Sequence, residues 1–286
     1  MIEGSTFAAV GAMHPALRGI ILGVVEGLTE FLPVSSTGHL IALNAWLGRS
    51  DPAMEIAIQA GAIAAIALLY WRRLFAAARA LRPGAGGGRP NLFALLLVAA
   101  LPAAVLGLLL EDAISAWLFS TSTVAIALIV GGVLLWALER WHGTQLAVAG
   151  QPGEVVETIT LRQALLIGLW QCLALVPGTS RSGATIAGGM LVGCSRTAAA
   201  EFSFLVGLPI LVGAATLKFV KDADRLSGPL LHDFLIASVA AFVTALAVVV
   251  PFVAFLRRHT FVPFAVYRIA FGALLLLLIA VGRLPA

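Results

Sequence analysis

Residues 23–39, GVVEGLTEFLPVSSTGH, bring two acids, a run of hydroxyls and one histidine into an otherwise apolar sequence. Glu26 and Glu30 are four residues apart and share one face of a helix. Pro33 then interrupts that helix, because it has no N–H to donate and disfavours helical geometry at Leu32. Ser35, Ser36, Thr37, Gly38 and His39 follow on the break. One straight span facing lipid does not tolerate this pattern. The stretch from 17 to 48 is instead expected to form a helix, a non-helical turn and a second helix, a re-entrant hairpin whose irregular backbone is buried by protein or lines a cavity.

The rest of the chain supplies the surroundings such a hairpin needs. Of its 286 residues 60% are hydrophobic and only 11% charged, with a mean hydropathy of +1.02. Soluble domains carry about 25% charged residues, so this is a polytopic membrane protein. Its net charge of +4 does not point to nucleic acid, because much of the excess lies in short loops where it marks topology. Cys172 and Cys194 sit in apolar surroundings and are expected to be small buried hydrophobes. The first residues carry Glu3, no early Lys or Arg and no long apolar core, unlike a cleavable signal peptide.

Spans are expected at about 53–70, 92–110 and 121–138, followed by a polar linker over 143–160. A second hairpin over 164–192, broken at PGTSRSGAT, leads to spans at about 198–220, 234–255 and 262–282. The two halves, 1–142 and 161–286, look like a duplication. Gly23 and Glu26 align with Gly168 and Gln171 at an offset of 145, Leu32-Pro33 with Val176-Pro177 at 144, and Glu55 with Glu201 at 146. Thr37-Gly38 stands against Ser182-Gly183. A hairpin returns the chain to the side it entered and three spans reverse it. The expected fold is therefore all-α with two inverted repeats, an arrangement that builds sites where broken helices meet. Counting positive charge puts the 72–89 loop, the 139–162 linker and the Arg257-Arg258 turn on the cytoplasmic side.

The polar residues suggest a site. Glu26 and Glu30 are suited to holding a divalent cation or to acid–base work, and their spacing does not choose between these. Ser36 and His39 are three apart and can share a helical face, where an imidazole makes a hydroxyl a usable nucleophile. Ser35 and Ser36 are equally suited to capping the second short helix. In the second hairpin Arg181 stands among Ser180, Ser182 and Thr185 next to Gly178 and Gly183, a turn able to grip phosphate through a guanidinium and exposed N–H groups. An ion pair from Arg181 to Glu26 or Glu30 is compatible with that role when the pocket is empty. Glu201 is a candidate partner for Arg196 or another base. Arg268, after Tyr267, either reaches the interface or completes an anion site. Ser35, Thr37, Ser180, Ser182, Thr185 and Arg268 are thus the candidate phosphate ligands. The set points to hydrolysis of an anionic, phosphorylated substrate resident in the bilayer. A secondary transporter or lipid flippase is the competing class, since it shares the architecture but needs no nucleophile.

These motifs resemble the bacterial undecaprenyl-diphosphate phosphatase family, associated with bacitracin resistance. EGLTEFLPVSSTGH at 26–39 and PGTSRSGAT at 177–185 carry the likeness, and YWRRLF at 70–75, IGLWQCLALVPG at 167–178, EFSFLVGLP at 201–209 and FVPFAVYR at 261–268 extend it along nearly the whole chain. The resemblance implies a multi-pass hydrolase of the bacterial inner membrane. It would convert undecaprenyl diphosphate to the monophosphate and inorganic phosphate, recycling the lipid carrier for peptidoglycan synthesis. It also implies dependence on Mg²⁺ or Ca²⁺, a site open toward the periplasm and association as a homodimer. The family's acidic pair, serine, histidine and arginine fall on Glu26, Glu30, Ser36, His39 and Arg181. Ser36 is expected to attack phosphorus with His39 as its base, while Glu26 and Glu30 hold metal or move protons; direct attack by water with His39 as base, or by His39 itself, are the less favoured alternatives.

Overall fold

The computed structural model describes residues 14–48, 52–81, 90–149, 156–221 and 231–286, which form eleven helices and no strand. The first half contains α1 (Pro15–Thr29), α2 (Ser36–Leu47), α3 (Pro52–Leu69), α4 (Trp71–Arg79), α5 (Leu92–Trp117) and α6 (Thr121–Ala149). The second contains α7 (Leu161–Gln171), α8 (Arg181–Leu191), α9 (Arg196–Lys221), α10 (Leu231–Leu256) and α11 (Val262–Ala280). The expectations for the first thirteen residues, for the 72–89 loop beyond Leu81 and for residues 150–155 of the linker lie outside the described residues.

Five helices, α5, α6, α9, α10 and α11, are long and apolar enough to cross a membrane, and α3 with α4 makes a sixth candidate bent by 69°. Leu97, Leu101, Leu108, Val239, Val243 and Leu277 lie exposed on these helices, as side chains do when the solvent is lipid. Pro102, Pro209 and Pro251 are accommodated inside α5, α9 and α10.

Three boundaries differ from expectation. The YWRRLF segment turns into the separate helix α4, where Arg72 covers Trp71 and Arg79 covers Phe75 at 5.6 and 4.3 Å. That mixture of basic and aromatic side chains suits the membrane interface. Helix α6 continues to Ala149, well into the segment expected as linker, because nothing before Pro152 removes a backbone donor. Helix α5 likewise carries Glu111 and Asp112 within its last turns.

The halves hold one another by exchange. Helix α1 packs along α10 and α7 along α5; α3 also packs on α10 and α9 on α5; α6 lies against α11. Replacing each helix by its counterpart in the other half maps these pairs onto each other. Gly23 and Gly168, at the expected offset of 145, show why the contacts are close. A Cβ at Gly23 would strike the carbonyl oxygen of Ala237 on α10, and one at Gly168 that of Ala99 on α5. The main core joins both halves through Phe31, Phe202, Phe204, Phe252 and Phe261, with Phe31 edge-on to Phe204 at 5.7 Å.

Ion pairs fasten the bundle away from the hairpin breaks. Arg196 grips Glu139 at 2.6 Å, and Glu139 also accepts from the N–H of Phe261 at 2.8 Å, where α11 begins. Glu201 pairs with Arg73 at 2.5 Å, so its partner is not Arg196.

Candidate active site

The two hairpin breaks end in the same kind of serine-capped turn. Helix α1 ends at Thr29, and Pro33 prevents its continuation; the chain turns through Ser35, whose φ of 67° is left-handed. The Ser35 hydroxyl accepts from the N–H of Gly38 at 3.4 Å and so caps α2. In the second hairpin α7 tightens into a 3₁₀ turn over Cys172–Leu175. The chain then turns through Ser180, with φ 74°, whose hydroxyl accepts from Gly183 N–H at 3.1 Å. A non-glycine residue in this region costs about 1–2 kcal/mol, and both hairpins place it one residue before a candidate site residue. Ser36 and Arg181 are each the first residue of the helix that follows.

Three links join the breaks. Arg181 bonds Glu30 Oε1 through Nη2 at 3.1 Å and through Nε at 3.4 Å. Ser182 donates to the carbonyl of Leu32 at 2.8 Å. Arg268, 1% exposed, donates to the carbonyls of Pro33 at 3.3 Å, Gly178 at 3.2 Å and Thr179 at 2.8 Å, and also to Ala127 and Leu128 on α6. Carbonyl oxygens carry partial negative charge, so several of them together stabilise a buried guanidinium.

Between the breaks lies a small polar centre. The Ser36 hydroxyl donates to Glu30 Oε2 at 2.7 Å, while Oε1 of the same carboxylate holds Arg181. Arg181 also donates to the carbonyl of Ser203 on α9 at 2.8 Å and lies over the Phe31 ring at 5.9 Å. Hydroxyl, carboxylate and guanidinium thus form one connected row. Glu26, one turn before Glu30 on α1, is 1% exposed.

The expected Ser36–His39 pairing gives way to another. His39 Nδ1 lies 2.8 Å from the carbonyl of Ser35 and Nε2 lies 2.6 Å from the Tyr267 hydroxyl, and the ring stacks on Phe271 at 4.4 Å. The helical spacing is as expected, but long-range partners decide where the imidazole turns.

The remaining candidates support the centre. Ser182 is within 3.0 Å of Ser180, and Thr185 donates to the carbonyl of Arg181 at 2.8 Å and lies 2.6 Å from the Ser203 hydroxyl. Thr37 is half-buried at the start of α2. Arg268 is engaged by backbone carbonyls rather than held open for an anion. Gln171, at the place corresponding to Glu26, is buried and donates to the carbonyl of Ala99 at 3.3 Å. Ser203 and Tyr267 were not among the expected site residues. Their signals were a serine inside the apolar EFSFLVGLP run and an aromatic hydroxyl beside Arg268.

An apolar cleft of about 500 Å³ runs between α5, the second hairpin and α9, with Leu97, Leu101, Leu108 and Leu175 on its walls and Gln171 and Arg181 as polar lining. A long hydrocarbon chain fits such walls, and a guanidinium suits an anionic head.

All donors at the centre are hard oxygens, which suits Mg²⁺ or Ca²⁺. Among the described residues no group of three or more His, Cys, Asp or Glu side chains could hold an ion by itself.

Comparison with known proteins shows the family of the chain. The family described as "Bacitracin resistance protein BacA" matches residues 19–274. The chain is 46% identical over 265 residues to the protein named undecaprenyl-diphosphatase 1 of Chromobacterium violaceum, covering 91% of this chain and 94% of that protein.

Proposed function

The chain belongs to the BacA family of bacitracin resistance proteins, and on that premise we propose that it hydrolyses undecaprenyl diphosphate to undecaprenyl phosphate and inorganic phosphate. The observation that carries the reading is the row Ser36–Glu30–Arg181, a hydroxyl on a carboxylate whose other oxygen holds a guanidinium. A transporter has no use for a nucleophile held in this way. The apolar cleft beside Arg181 supports a substrate with a long prenyl chain.

Glu30 Oε2 takes the Ser36 proton as Oγ attacks the terminal phosphorus. The bond to the bridging oxygen breaks, undecaprenyl phosphate leaves, and a phosphoserine remains for water to cleave. Arg181 exchanges its pairing with Glu30 for the phosphoryl oxygens, which frees the carboxylate as it engages the substrate. The N-terminal N–H groups of α2 and α8 add donors for the same oxygens. Glu26, with Glu30, would hold a divalent cation, which would neutralise charge on the diphosphate. The net basic composition of the loops near Arg72 and Arg257 favours the cytoplasm for that end of the bundle, in a bacterial inner membrane. The first hairpin, and with it the site, then opens toward the periplasm.

The test is phosphate release from a purified polyprenyl diphosphate, with and without EDTA. The expected outcome is release that EDTA abolishes and Mg²⁺ or Ca²⁺ restores. A protein that binds the lipid without releasing phosphate under any metal would sink the hydrolase reading.

A further inference from the structure

His39 and Tyr267 are 228 residues apart in sequence, yet the imidazole is held on three sides. The Ser35 carbonyl can only accept, so His39 Nδ1 carries the proton and donates to it at 2.8 Å. Nε2 is then the lone-pair nitrogen and accepts from the Tyr267 hydroxyl at 2.6 Å. Phe271 lies against the ring face at 4.4 Å, nearly parallel to it. Both ring nitrogens are thereby engaged, and the neutral imidazole has one tautomer and one orientation.

What this clamp grips is the backbone of Ser35, the left-handed residue directly before Ser36. The second hairpin gives an internal control. Ser180 adopts nearly the same backbone, with φ and ψ of 74° and 119° against 67° and 94° for Ser35. The position matching His39 there, at the offset of 145 that relates Ser35 to Ser180, is Ala184. The turn therefore forms without an imidazole. Among the described residues the clamp occurs only in the half that bears Ser36.

We propose that Tyr267 is a positioning residue for the hydrolysis: through His39 it holds the Ser35–Ser36 peptide so that the Ser36 hydroxyl stays on Glu30. This rests on the hydrolase reading above. Removing the Tyr267 hydroxyl frees Nε2, lets the imidazole take either tautomer and loosens its hold on the Ser35 carbonyl. Ser36 then spends less time aligned on its carboxylate, and misalignment of a reacting group by about 1 Å costs on the order of a hundredfold in rate.

The experiment compares the full-length wild type with Tyr267→Phe, which keeps the ring and its stacking. Side-chain ¹⁵N spectra of the histidines in lipid bilayers are assigned with a His39→Gln control. Wild-type His39 is expected as the neutral Nδ1–H tautomer with a hydrogen-bonded Nε2, and Tyr267→Phe as a mixture. In steady-state turnover kcat should fall about tenfold or more in Tyr267→Phe, with KM within twofold of wild type. An Nε2–H tautomer in the wild type, an unchanged His39 spectrum in Tyr267→Phe, or wild-type kcat in that variant would each overturn the proposal. A wild type that releases no phosphate would overturn the hydrolase reading instead, with the tautomer measurement still deciding whether Tyr267 orients His39.

Discussion

Ser36 and Arg181 occupy the same place in the two hairpins, first in the helix after a left-handed serine, and from there they act on Glu30 from opposite sides. Because one carboxylate serves both, their substitutions should not combine additively. Ser36→Ala is expected to lower kcat on the order of a thousandfold or more, and Glu30→Gln comparably, while the double variant should be scarcely worse than either alone. Steady-state phosphate release from the three proteins measures this; multiplied losses would show that Glu30 acts independently of Ser36. Arg181→Lys keeps the charge but loses the fork that reaches both Glu30 and the Ser203 carbonyl. Its kcat/KM should fall on the order of a hundredfold, with the fold intact by circular dichroism.

The elements that carry these residues were largely legible. Pro33 after the acidic helix, and PGTSRSGAT after Gln171, announce two breaks, because proline and glycine act on the local backbone that spacing records. Which side chain each break would seize was not legible. His39 is one turn from Ser36 but turns to Tyr267, and Arg268 leaves the anion site to hold the Pro33, Gly178 and Thr179 carbonyls. Those partners come from α11, and a single sequence does not encode such distances in any spacing. The end of α6 was not legible either, since a polar stretch without proline can continue a helix already begun. Arg268 makes an element-scale prediction. Arg268→Met leaves buried carbonyls of both breaks without their donor, at about 1–3 kcal/mol for each group orphaned. Thermal unfolding in detergent should shift markedly downward and kcat should fall with it; an unchanged melting temperature would mean that the breaks hold their geometry without the guanidinium.

At the scale of the molecule, each hairpin leans on the other half. Helix α1 lies on α10 and α7 on α5, and the packing at Gly23 and Gly168 leaves no room for a side chain. The polar centre is divided in the same way, with Glu30 and Ser36 from one half and Arg181, Ser203 and Arg268 from the other. Neither half can bury its own hairpin or complete its own site. A chain divided between 149 and 156 should therefore be inactive as either fragment alone, and active when both are produced together in one membrane. Reassembly depends on the α1–α10 and α5–α7 surfaces, so a Gly23→Leu substitution in the first fragment should abolish recovery. In the undivided chain the same contact is formed within one molecule, at a far higher effective concentration, so the substitution should there be less damaging. Phosphate release from membranes containing each fragment, both fragments, and the substituted pair measures this. Activity from a single fragment would show that one half contains a sufficient site, and the exchange of helices would then be a matter of packing alone.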